Sequence, residues 1–175
     1  PSEARRVAGG GTREGGAPAT ILTVLRRMRE EGPLVHEPTG LVTLDALTGG
    51  GPVCGTRWIV AGAPDAGKTL LLLHIAHTYA LRNIAVGLLA VDEEPGDLVT
   101  RLAQRIGYAH WRCEQRAPAD LDALEAELGG LPIRFYDGDT YTIQTAATDL
   151  ATWATAEGLR AMLGVDSIQT VMCDA

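Results

Sequence analysis

Gly62-Ala63-Pro64-Asp65-Ala66-Gly67-Lys68-Thr69 fits G-x-x-x-x-G-K-[ST] at every defined position, the pattern of a phosphate-binding loop. Glycines let the backbone curl until successive N–H groups point at one anion. A helix starting at the loop aims its positive end at the same place. Lys68 supplies a compact charge for the outer phosphates, and Thr69 a hydroxyl for Mg²⁺. Leu70 completes the nucleotide-binding stretch 62–70. Asp65 fits poorly, because a carboxylate in the cradle repels a phosphate. It is expected to face solvent or a neighbouring subunit. Of the 15 basic residues, Lys68 is the sole lysine.

The motif's context is strand before and helix after. Thr56 to Ala61 reads as a short apolar strand, and Gly67 to Leu81 as a Leu-rich helix. Outward from there the pattern alternates. Strands are expected at Ile84 to Val91, Leu131 to Tyr136 and Ala161 to Val165. Helices are expected at Pro95 to Ile106, Pro118 to Leu128 and Ile143 to Glu157. The apolar run Ile84 to Val91 suits a parallel strand covered on both faces. Alternating units of this kind define an α/β fold, a mainly parallel sheet flanked by helices.

Before the loop, residues 1–17 are rich in Gly and Arg and read as a flexible arm. Pro18 to Glu31 reads as an amphipathic helix, with Ile21, Leu22, Val24, Leu25 and Met28 on one face, stopped by Gly32-Pro33. That face packs on its own domain or docks on a neighbouring subunit. The remaining residues, 34–175, form the core.

Among 175 residues, hydrophobic side chains make up 46%, enough for a real core, and the net charge is −7. The acidic balance argues against a stand-alone nucleic-acid binder, though not against a ring that contacts DNA through a few loops. No apolar run reaches the ~20 residues of a membrane helix. No secretory signal is visible at the start. The three cysteines lack ligand or disulfide spacing, which suits thiols in a reducing cytoplasm. The chain opens on Pro1 rather than Met and is read as a fragment or a processed form.

Hydrolysis needs two further groups. A carboxylate for the metal's water shell is expected at the end of an apolar strand, and Met162-Leu163-Gly164-Val165-Asp166 ends on one. A base for the attacking water is expected at the sheet edge that carries the phosphate loop. Asp92-Glu93-Glu94 follows the strand after the loop helix, so Asp92 or Glu93 is the candidate. The same acids also suit a solvated loop or a charge cluster at a helix start. His74 and His77 share a helix face, which suits packing better than a metal site. Trp111 with Arg112 and Arg116 is either a stacking patch for single strands or ordinary packing.

These residues resemble the RecA-like core of hexameric helicases of the DnaB type. Thr39-Gly40-Leu41 and Leu44-Asp45-Ala46-Leu47-Thr48-Gly49-Gly50-Gly51 look like the lead-in to the phosphate loop in DnaB, RadA and KaiC proteins. Leu131-Pro132-Ile133, Asp137 and Gly158-Leu159 resemble the DnaB pattern. Val165-Asp166-Ser167-Ile168-Gln169-Thr170 looks more like RadA, and Pro95 with Asp97 more like KaiC. The resemblance implies an ATPase that binds ATP and Mg²⁺, self-assembles into a ring, hexameric in DnaB, and often takes single-stranded DNA in replication. It implies that Pro18 to Glu31 is a linker helix, and that the catalytic acid falls on Asp92 or Glu93. Gln169 reads as a polar loop residue or, by its resemblance to polar sensors near this strand in related ATPases, as a sensor of the terminal phosphate. In these families the arginine finger and DNA loops come later in sequence, so none is assigned, and the core is read as incomplete at its C-terminal side. The alternatives are a KaiC- or RadA-like regulatory or recombination ATPase, or a nucleotide-gated assembly module with little turnover.

Overall fold

A computed structural model describes residues 20–166. The proposed arm, Pro18 and Gln169 lie outside those residues. The chain divides into two compact units, with the break after Val60.

In the first unit, helix α1 spans Ile21–Glu31. Thr20 begins it, its Oγ1 accepting the Thr23 N–H at 3.2 Å. Gly32, at φ 71°, ends it. No residue of α1 is buried, and Ile21, Leu22, Leu25 and Met28 are exposed.

A short helix, α2, spans Val42–Leu47 and was not anticipated from the pattern. Its cause is a carboxylate that reaches backwards. Asp45 Oδ1 accepts the Thr39 N–H at 2.8 Å and the Thr39 hydroxyl at 2.7 Å, while Oδ2 accepts the Gly40 N–H at 3.1 Å. Thr39 Oγ1 in turn accepts the Leu41 N–H at 3.2 Å. Thr39 is fully buried, so this closed set of bonds satisfies polar groups that would otherwise be costly. After α2 the chain passes close to itself. A Cβ on Gly51 would lie 2.3 Å from the Glu37 carbonyl oxygen, and Gly51 sits at φ 96°. Only glycine fits there. The Thr-Gly…Leu-Asp…Gly-Gly-Gly segment is thus a self-capping turn.

The strand expected at Thr56 to Ala61 does not form. Ile59 is 80% exposed, and Trp58 and Val60 are also exposed. A strand is made by its neighbours' hydrogen bonds, and none of the described strands pairs with this segment.

The second unit holds helix α3 (Lys68–Ala80), strand β1 (Ile84–Ala90), helices α4 (Pro95–Arg105), α5 (His110–Gln115) and α6 (Pro118–Leu128), strand β2 (Ile133–Asp137), helix α7 (Ile143–Ala156) and strand β3 (Arg160–Asp166). The sheet runs β2-β1-β3 and is all parallel. Ala90 is in register with both Asp137 and Asp166. The three strands therefore end together at one carboxyl edge.

Strand β1 is buried along its whole length. Ile84, Val86, Leu88 and Ala90 pack with Leu73, Ala76 and Tyr79 of α3 and Leu98 of α4. Ala85 and Leu89 pack on the other face with Ala146, Leu150 and Ala154 of α7. Period-two alternation thus feeds two apolar layers, and each buried Leu contributes about 1.5–3 kcal/mol relative to exposure. A capping box between Thr142 and Thr145 starts α7. Asp149 of α7 accepts from Tyr136 Oη at 2.8 Å and from Arg134 Nη1 at 3.1 Å. Burial, with Asp149 as acceptor, pushes the Tyr136 hydroxyl up to about 12. Arg134 also lies 4.1 Å over the Trp153 ring. No helix among the described residues is long and apolar enough to cross a membrane.

Candidate active site

The phosphate-loop residues lead into α3. Gly67 stands before the helix in the left-handed region at φ 87°, and the Ala66 N–H donates to Ala63 O at 3.2 Å to close a turn. Asp65 adopts φ 59° and is exposed, as are Gly62, Ala63, Pro64, Ala66 and Leu70. Lys68 and Thr69 are half-buried. Lys68 Nζ donates to Gly62 O at 3.1 Å and to Ala63 O at 2.9 Å. The ammonium therefore sits inside the curl it is meant to complete. No acidic residue stands in the first turn of α3, so the helix's positive end is not neutralised locally.

Across the sheet edge, Thr69 Oγ1 donates to Asp166 Oδ2 at 2.8 Å. The hydroxyl and the carboxylate make an oxygen pair of the kind a hard divalent cation takes. Among the described residues, no group of three or more His, Cys, Asp or Glu is placed to hold a metal by itself. That donor set fits Mg²⁺, which keeps several waters and takes its other oxygens from phosphate.

Asp92 and Glu93 follow β1 at the same edge. Asp92 is exposed, whereas Glu93 is half-buried. Burial raises the Glu93 carboxyl above its ordinary value, Arg101 opposes this, and Asp166, Asp97 and Asp92 reinforce it. Arg101 Nη2 lies 2.7 Å from Glu93 Oε1. Glu93 Oε2 is buried with no hydrogen-bond partner among the described residues. A buried carboxylate oxygen left in this way costs stability. The sequence named Asp92 and Glu93 together; only the turn after β1 separates them.

A cleft of about 580 Å³ opens beside Glu93, lined among others by Asp97, Arg101, His110, Glu114 and Arg116. Its charges are mixed. Arg116, one of the residues weighed for single-strand contact, shares this cleft with Glu114 and Asp97. Arg112 is exposed, and the Trp111 side chain lies outside the described set.

His74 and His77 have a structural role that the sequence did not disclose. Arg105 of α4 donates through Nη2 to His74 Nδ1 at 2.6 Å and through Nη1 to His77 Nδ1 at 2.7 Å. Each imidazole accepts at Nδ1, so each must be neutral there. Burial lowers the His77 value, and Arg105 lowers it further. The signal was an Arg in the last turn of the neighbouring helix, but its partner could be found only once α3 and α4 were packed.

A parallel sheet, a curled loop at a helix start, and two acids at one sheet edge define a RecA-like P-loop ATPase core. The chain belongs to the AAA domain family, whose model matches residues 41–174. It is similar to the "DNA repair protein RadA" of Mycolicibacterium smegmatis, 34% identical over 105 residues, covering 60% of this chain and 22% of that protein. It is also similar to RadA of Brucella abortus, 31% identical over 110 residues, 63% of this chain and 23% of that one. RadA of Aquifex aeolicus is 37% identical over 90 residues, 51% of this chain and 19% of that one. The matched stretch therefore spans only about a fifth of the length of these relatives.

Proposed function

We propose that the chain is the nucleotide-binding core of a RadA-like ATPase that works on DNA in repair or recombination, in the cytoplasm. The observation that carries the hydrolytic part is the meeting of Thr69 and Asp166 at 2.8 Å on the sheet edge that also presents Glu93. The RadA relatives support this choice over the DnaB-type helicase.

In this reading the backbone of 62–69 and Lys68 bind the phosphates of ATP. Thr69 and Asp166 hold Mg²⁺, Thr69 through its hydroxyl and Asp166 through water. Mg²⁺, when bound, offsets phosphate charge and lowers the cost of bringing a nucleophile to the terminal phosphorus. Glu93 orients the attacking water and takes its proton at Oε2. Burial raises its carboxyl above the ordinary value, the direction that favours a base. Asp92, exposed and one methylene shorter, does not compete for that position. The products are ADP and phosphate, and the proton leaves through Glu93 to solvent.

A ring-forming reading has its own observation. The apolar residues Ile21, Leu22, Leu25 and Met28 of α1 are exposed together, which suits a linker helix docking on a second copy, as in a DnaB-type hexamer.

The test is ATP cleavage by the full-length protein with and without single-stranded DNA. The RadA-like reading expects cleavage that single-stranded DNA stimulates. ATP binding without any cleavage would leave only the nucleotide-gated assembly module.

A further inference from the structure

We propose that Arg101 is a positioning residue for hydrolysis, which fixes the Glu93 carboxylate so that Oε1 is held and Oε2 is left to meet water. The inference rests on the reading of Glu93 as the base, and goes beyond it by naming what aims that base.

The geometry divides the carboxylate into two unlike oxygens. Arg101 Nη2 sits 2.7 Å from Oε1. Oε2 is buried and has no hydrogen-bond partner among the described residues. A carboxylate with both oxygens satisfied is a poor base, and one with neither held is free to rotate. Glu93 has one of each.

The surroundings make such a hold necessary. Asp166, Asp97 and Asp92 all act against the charge on Glu93, while Arg101 favours it. With three like charges nearby, an unheld Glu93 side chain would swing away from the edge toward solvent. Arg101 counters that push from α4, one turn beyond Asp97. Glu93 and Arg101 stand eight positions apart, so their ion pair ties the loop after β1 to the body of α4. Arg101 is itself half-exposed, and an exposed ion pair adds little to fold stability. What the pair contributes is therefore placement rather than stability.

The remaining charges in the cleft do not replace it. His110 is 2.6 Å from Glu114 and is thereby engaged with another acid. Arg116 lies in the same cleft, while the ion pair to Glu93 Oε1 is made by Arg101.

The experiment is steady-state cleavage of γ-labelled ATP by the full-length protein against ATP concentration, a readout sensitive to slow hydrolysis, beside equilibrium ATP affinity. Arg101→Gln should lower kcat about 10- to 100-fold, the scale of a misplaced catalytic group, with KM and ATP affinity unchanged. Arg101→Lys should restore part of kcat, since a cation still reaches Oε1. An unchanged kcat in Arg101→Gln, or a loss not relieved in Arg101→Lys, overturns the inference. So does a loss confined to ATP affinity. Glu93→Gln separates the two levels: if it cleaves ATP as fast as the unsubstituted protein, or if the unsubstituted protein cleaves none, the base assignment itself fails, and the role of Arg101 with it.

Discussion

Thr69 Oγ1 donates to Asp166 Oδ2 at 2.8 Å, although the two residues are 97 positions apart in the chain. Thr69 stands in the first turn of α3, and Asp166 ends β3. Parallel register brings the strand end to the helix start, as Asp166 pairs with Ala90 at the close of β1. The relationship joins a helix-start residue and a strand-end acid into one oxygen pair.

Thr69→Val removes the hydroxyl while keeping the shape. Mg²⁺ should then no longer tighten ATP binding, a loss of roughly 10-fold or more for one charge-assisted contact. Thr69→Ser should keep the effect. ATP titrations with Mg²⁺ and with EDTA measure it. Equal Mg²⁺ dependence in Thr69→Val and the unsubstituted protein would contradict the assignment of the pair.

Glu93→Gln should separate binding from turnover. Loss of a general base costs roughly 10²- to 10⁴-fold in rate, while ATP affinity stays. The same variant has a pH signature. Burial raises the folded-state value of Glu93 above its unfolded one. Its contribution to stability is therefore fully present below the unfolded value and is lost as pH rises through the folded value. Melting temperature against pH should show the unsubstituted protein falling relative to Glu93→Gln as pH rises from about 4.5. Parallel curves would show that the carboxyl is not strained by burial.

His77 titrates with the opposite sense. Its folded-state value lies below 6.5, through burial and the Arg105 guanidinium. Stability is present above the unfolded value and is lost as pH falls through the folded one. Denaturant unfolding from pH 7.5 down to 5 should show this loss. In Arg105→Met the His77 titration, followed by NMR, should move up toward its ordinary value. No movement would mean that Arg105 does not act on the imidazole.

The elements that could be read from the chain are those that carry their own signals. Pro95 and Pro118 open α4 and α6 where a first-turn proline belongs. The apolar run at β1 marked the central strand. What escaped depends on partners distant in sequence. The run at 56–61 has strand composition, yet no described strand offers it a ladder. Helix α2 begins because Asp45, inside it, bonds back to Thr39 and Gly40, a cap placed where no start signal is sought. Helix α5, His-Trp-Arg-Cys-Glu-Gln, is too short to show a period. At the site, residue types were legible and their arrangement was not. The acids Asp92 and Glu93 are neighbours in sequence, but only one turns inward, and the Arg101 that meets it lies on the following helix.

The claim on which the rest depends is that the loop at 62–69 binds a nucleoside triphosphate through Lys68. Lys68 is half-buried and bonded to two loop carbonyls, outside the packed core, so its removal should spare the fold. Calorimetric titration of Mg-ATP into the unsubstituted protein and into Lys68→Ala, with melting temperature as control, is the most direct measurement. The account predicts that Lys68→Ala melts like its parent and binds ATP at least roughly 10- to 100-fold more weakly, as expected for loss of a charge-assisted contact. Undiminished ATP affinity in a folded Lys68→Ala protein would contradict it.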